Sequence, residues 1–297
     1  MTIEFNCPKC GALIAFDSKH SGRRAKCLTC GQKLIIPAES FQKPEKVEPE
    51  AAPKEDPIPG FYRAVFVDSW KVFVNPHNAT PLVFVATVVC FKFFLASACC
   101  VGYFAPVVIW GWLFGFYLNV IYETAYDNDL LPEIDLGTSI TFVWYILRPF
   151  LVFFYTLFLV ELPFIIALSL TQGSGVTFSN LWSDFSALHL LLQTLLVSGL
   201  FIFPAAILTT AVGQDLTLLR PDYLLVPIAK AFVPYLTIAL LLTATCLLQM
   251  RSSQFSDADT MVLTGHLAMN LLVQVLAIIT MRSIGLFYRH YACHFKW

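Results

Sequence analysis

The stretch PLVFVATVVCFKFFLASACCVGYFAPVVIWGWLFGFYLNVIY, residues 81–122, decides the architecture, because Lys92 is its only charged side chain. A bilayer's hydrocarbon core is ~30 Å thick, and a helix crosses it with ~20 apolar residues. Residues 81–122 are long enough for two crossings, with Gly102 and Pro106 marking the turn between them. Outward from here the pattern recurs. Residues 149–170 form a third apolar run with Glu161 as its only charge, and residues 188–212 a fourth with none. A fifth covers about 233–250 and a sixth about 260–281. Two shorter stretches, 137–147 and 222–232, lie between a Pro-acid pair and a second proline, and read as interfacial or re-entrant helices. The expected class is a small β-type zinc ribbon followed by an all-α polytopic membrane bundle (residues 79–297) of about six transmembrane helices plus interfacial helices.

Composition agrees. The chain is 57% apolar and only 13% charged, against ~45–50% and ~25% for an ordinary soluble domain. Its net charge of -1 argues against a nucleic-acid partner and leaves the lipid bilayer as the first one. Orientation follows from the basic residues. With the N-terminus inside, the inner flanks hold Arg63, Lys71, Arg148, Arg220, Lys230, Arg282, Arg289 and Lys296, whereas the outer loops 171–187 and 251–259 hold only Arg251. The start, MTIEFNCPKC, has no basic and apolar leader. The expectation is a multi-pass inner-membrane protein with both termini cytosolic.

The front of the chain is of another kind. Cys7-x2-Cys10 and Cys27-x2-Cys30 have the spacing of a four-cysteine zinc site over residues 1–37. Four thiolates close the tetrahedron around one Zn²⁺ and leave no open position, so the metal is structural. A redox Cys-x-x-Cys would need a βαβ context that this stretch lacks. Segments TIEF and KLIIP read as short strands, and Gly11 and Gly31 follow the second cysteine of each pair. Lys9, Lys19, Arg23, Arg24, Lys26 and Lys33 either compensate the anionic zinc–thiolate centre or face anionic lipid; compensation is the first reading.

Residues 38–59, AESFQKPEKVEPEAAPKEDPIP, carry too little apolar surface to offset their ordering entropy and read as a disordered linker. Residues 60–78 then form an amphipathic helix with Tyr62, Val65, Phe66, Ser69, Trp70 and Phe73 on one face. It lies in the membrane interface or packs on other protein.

The run GYFAPVVIWGWLFGFYLNVIYE…LLPEIDLG, with FPAAILTTAV and the terminal GLFYRHYACHFKW, resembles bacterial multi-helix membrane proteins of a domain-of-unknown-function type. The front, FNCPKCGALIAFDSKHSGRRAKCLTCGQKLIIP, is similar to zinc ribbons tethered to such proteins. The resemblance implies an inner-membrane location and no particular activity.

No GxSxG, HExxH, Walker A or GxGxxG motif is present, so no catalytic residue is expected and the chain reads as a non-enzyme. The acidic stretch Glu123, Asp127, Asp129, Glu133 and Asp135 is a solvated loop or, less readily, a cation site. Inside the spans, His189 and Gln193 are spaced i, i+4, and His266, Asn270 and Gln274 i, i+4, i+8. They serve as interhelical hydrogen-bond glue or as a proton or solute path, with glue the first reading. Lys92 and Glu161, both placed ~18 Å deep, are expected to pair. Two functions compete: a non-enzymatic binding or scaffold protein whose ribbon docks a cytosolic partner, and a small transporter or channel that uses the intramembrane polar residues.

Overall fold

The computed structural model describes residues 2–6, 13–27, 33–35, 56–95, 104–134, 140–171, 176–182, 186–213, 219–252 and 260–295. They belong to two compact units, Met1–Glu55 and Asp56–Trp297.

The first unit holds two antiparallel hairpins. β1 (Thr2–Asn6) pairs with β2 (Leu13–Asp17), and β3 (Arg24–Lys26) with β4 (Lys33–Ile35). Both close at the same spacing, Asn6 opposite Leu13 and Lys26 opposite Lys33. In each, the first cysteine of a Cys-x-x-Cys directly follows the strand. Of the four cysteines only Cys27 lies among the described residues, where it is buried. Gly22 takes φ +76° in the turn before β3, a conformation glycine adopts without steric cost.

The second unit is helical: α1 (Phe61–Phe66), α2 (Lys71–Val74), α3 (Ala79–Leu95), α4 (Phe104–Ala125), α5 (Ile140–Val160), α6 (Leu162–Leu170), α7 (Ala187–Gly213), α8 (Pro221–Lys230), α9 (Phe232–Ser252) and α10 (Thr260–Tyr291). Six described helical segments are long and apolar enough to cross a membrane: Pro76–Phe94, Pro106–Ala125, Val143–Val160, Ala187–Gly213, Phe232–Ser252 and Met261–His294. The chain is a multi-pass membrane protein. Helices α4 and α10 form the centre, around Leu113, Ile121, Ile278, Ile284 and Phe287. α5 turns Val143, Leu151, Phe154 and Phe158 outward, an apolar exterior suited to lipid.

Close helix crossings rest on glycine. A Cβ on Gly111 would sit 2.6 Å from the Ile146 carbonyl oxygen, and one on Gly115 3.1 Å from the Pro149 ring. Gly285 of α10 likewise faces the Ile121 carbonyl at 2.6 Å. Small residues spaced i, i+4 let membrane helices approach closely enough for dispersion to hold them.

Three features differ from the sequence reading. The third span starts earlier: α5 runs from Ile140 through Pro149 without a break, absorbing the short helix expected at 137–147. A proline inside a helix is tolerated in a membrane where neighbours restore the packing, and here Gly115 receives its ring. The second short helix does form, as α8. Residues 60–78 are not one helix but α1, a 3-10 turn (Asp68–Trp70), α2 and a second 3-10 turn (Pro76–Asn78). Phe61 and Val65 pack inward, Phe61 against Phe287, His290 and Tyr291, while Tyr62, Phe66 and Trp70 remain exposed. Within the predicted linker, Ile58 belongs to the bundle: its N–H donates to the His290 carbonyl at 2.9 Å, and its carbonyl lies 2.8 Å from His290 Nδ1. These bonds bring the start of the second unit to the end of α10, so the chain enters and leaves this bundle at one face.

Candidate functional site

The acidic loop after α4 is built rather than free. α4 ends with Asp127 in the left-handed region at φ +67°, a helix-terminating conformation that Asp tolerates. Asn128 donates its side-chain N–H to Glu123 Oε2 at 2.8 Å and accepts from the Leu130 amide at 3.1 Å. Arg282 of α10 is buried and pairs with Asp129; Arg289, one turn pair further along α10, pairs with Asp127 and reaches Asp129 at 3.6 Å. Asn78 fastens the other side: its side-chain Oδ1 accepts the Leu131 amide at 2.9 Å and its Nδ2 donates to the Val72 carbonyl at 2.9 Å. Asp127 and Asp129 are thus neutralised by arginines of α10. Asp135 lies outside the described residues.

This pinned loop roofs a pocket of about 770 Å³. Its walls are the second half of α4 (Gly115 to Glu123), the first half of α5 (Trp144 to Val152) and Thr210 and Ala211 of α7. Arg148, Glu123, Glu133, Asn119, Tyr122 and Tyr145 bring the polar groups. The packing of Gly115 on Pro149 sets the α4–α5 separation there. Nothing in the sequence pattern joined Arg148 to the acidic loop, since it stands alone in an aromatic run.

The intramembrane residues divide. Gln274 accepts from the Tyr117 hydroxyl of α4 and donates to Gln249 Oε1 of α9 at 3.2 Å. Asn270 donates to the Ser252 carbonyl at 3.1 Å and to the His266 carbonyl at 3.0 Å. Thr245 and Thr280 bridge α9 and α10 at 3.0 Å. A polar chain therefore ties α4, α9 and α10 together. Gln193 donates to the Leu181 carbonyl at 2.9 Å and so staples the 176–182 loop to α7. His189 Nδ1 lies 2.7 Å from Ser186 Oγ, while its buried Nε2 has no partner. Tyr117, Gln249 and Ser252 were missed; an isolated tyrosine among aromatics and a glutamine near a span's end give no periodic signal.

The expected Lys92–Glu161 pair does not form. Lys92 lies in the last turn of α3, with its ammonium 4.5 Å from the Trp110 ring centroid and no hydrogen-bond partner. Glu161 sits at the break between α5 and α6, where both carboxylate oxygens are buried without a partner against Gly199 of α7. A Cβ on Gly199 would be 2.6 Å from the carboxyl carbon. The two side chains lie apart because α5 begins before residue 149, which shifts the depth of Glu161, and because α3 packs on α4 and α10 whereas α6 packs on α7.

Among the described residues no three His, Cys, Asp or Glu side chains gather as a metal site. Cys7, Cys10 and Cys30 lie outside those residues. No protein family, curated protein or solved structure matches the chain.

Proposed function

We propose that this chain is a non-enzymatic membrane-anchored binding protein: a six-span inner-membrane anchor carrying a cytosolic zinc ribbon that captures a protein partner. The observation behind it is the equivalence of the two hairpins. Each places a Cys-x-x-Cys at one spacing between paired strands, Asn6 to Leu13 and Lys26 to Lys33. Four thiolates around one ion are the donor set of a closed tetrahedral zinc site, and Cys7, Cys10, Cys27 and Cys30 would be its ligands. The first reading of the intramembrane polar groups, helix glue, fits this proposal, since Gln274 bonds Tyr117 and Gln249 on two neighbouring helices. Purified full-length protein should contain one zinc per chain, lost in Cys27→Ser, and captured cytosolic protein should be released by chelator. Absence of zinc from the wild-type protein would overturn the ribbon.

The transporter reading is favoured by one observation, the unpartnered Glu161 at a helix break. Broken helices and lone carboxyls at membrane depth recur where ions or protons pass. Proteoliposomes carrying a pH-sensitive dye would decide: proton flux abolished by Glu161→Gln would replace the anchor reading with transport, and no flux would retain it.

A further inference from the structure

The pocket under the acidic loop holds one cation and one anion that find no ion-pair partner among the described residues. Arg148 and Glu133 are both exposed into it. Neither joins an ion pair, whereas Asp127 and Asp129 on the same loop are taken by Arg289 and Arg282. Glu123, also in the lining, accepts from Asn128 through one oxygen and keeps the other. A ligand that satisfies such a pocket must offer a negative group to Arg148 and a hydrogen-bonding positive group to the carboxylates.

The level of the pocket says where that ligand resides. Trp144 and Tyr145 are 59% and 51% exposed at the start of the apolar run 143–160. Trp and Tyr collect at the headgroup layer of a bilayer. Arg148 lies one helical turn deeper than Trp144, within reach of that layer by snorkelling. Leu118 and Val152 continue the wall in apolar side chains, where an acyl chain would begin. The roof is held by Asn78, Arg282 and Arg289, so the cavity is preformed rather than assembled on binding. Its volume, about 770 Å³, lies within the ~300–1,000 Å³ usual for small-ligand sites.

We infer that this pocket binds the headgroup of a membrane phospholipid that combines a phosphodiester with a primary amine. Arg148 takes the phosphate in a charge-assisted, forked hydrogen bond. Glu133, assisted by Glu123, accepts N–H donors from the ammonium. Two carboxylates in the lining disfavour a headgroup with only negative charge, and a trimethylated ammonium has no N–H to give. The inference is independent of the zinc ribbon and of the anchor reading.

The test uses full-length protein in detergent with an equimolar mixture of phosphatidylethanolamine, phosphatidylglycerol and phosphatidylcholine of matched acyl chains, read by native mass spectrometry. Phosphatidylethanolamine should be retained about tenfold over phosphatidylcholine, the worth of one hydrogen bond to a charged group. Arg148→Gln should lower retention of all three lipids. The double variant Glu123→Gln/Glu133→Gln should abolish the preference for the amine without lowering retention of phosphatidylglycerol. The preference is a ratio within the folded ions, so a variant of low yield still reports it. Equal retention of the amine and choline lipids by the wild type, or a preference that survives the double variant, would overturn the site. Displacement of the lipid by an equal concentration of soluble phosphoethanolamine would overturn the membrane source.

Discussion

Two buried polar regions share one apolar bundle and behave differently. In the α4–α9–α10 chain, Tyr117, Gln274 and Gln249 answer one another across three helices. Across α6 and α7, Glu161 has both oxygens buried and answered by nothing but the space over Gly199. Burial is similar; the difference is what the facing helix presents. A facing glutamine turns a polar side chain into a tie between helices, while a facing glycine admits it and leaves it unsatisfied. Depth in a membrane therefore does not say whether a polar group is glue or a candidate for function. The partner helix does.

Glu161 offers the largest way to break this contrast. Its environment accommodates an uncharged group, so Glu161→Gln should fold as the wild type, whereas Glu161→Lys introduces a fixed charge that costs ~2.5–3.5 kcal/mol on insertion scales. Folded yield in detergent measures both, and a Gln variant as poor as the Lys variant would mean the carboxylate is charged and paired. Next is Gly199. Gly199→Ala pushes a methyl into the carboxyl at 2.6 Å, an overpacking of ~1–3 kcal/mol. Glu161→Ala in the same chain should restore most of the thermal stability lost, and additivity of the two losses would remove the contact.

Gln274→Leu breaks two ties and leaves the Tyr117 hydroxyl and Gln249 Oε1 unanswered, for ~1–2 kcal/mol. Adding Tyr117→Phe should cost little more. A double-mutant cycle in detergent unfolding checks this, since independent losses would show the chain is not a unit. Thr245→Val should cost less, ~0.6 kcal/mol, the mean for a membrane hydrogen bond. A loss as large as that of Gln274→Leu would erase the ranking.

The smallest effect lies outside the spans, at Asp68. The hydrogen bond from Lys71 holds its carboxyl below the ordinary carboxylate value. That contribution is full above about pH 4 and fades as pH falls through the lowered value. Hydrogen exchange of α1 and α2 should distinguish Asp68→Asn from wild type at about pH 6 and not at about pH 2. A difference that persists in acid would assign the effect to packing instead.

The six crossings were legible in the order of residues alone, because apolar runs of span length are a local property that a bilayer reads directly. Also legible were β1 and β4, though not their partners β2 and β3, and the shared helix face of His266, Asn270 and Gln274, because spacing within a helix is also local. Gly111 and Gly115, at i, i+4 in α4, were legible as a close-packing pair and went unread. Tertiary structure alone decided the rest. It made α5 continuous through Pro149, since Gly115 on the facing helix receives the ring. It separated Lys92 from Glu161 by assigning α3 and α6 to different neighbours. It also spent Arg282 and Arg289 on the acidic loop and left Arg148 over a pocket. Each of these depends on which helix faces which, and hydrophobicity cannot encode that choice, because one apolar surface meets another equally well in lipid.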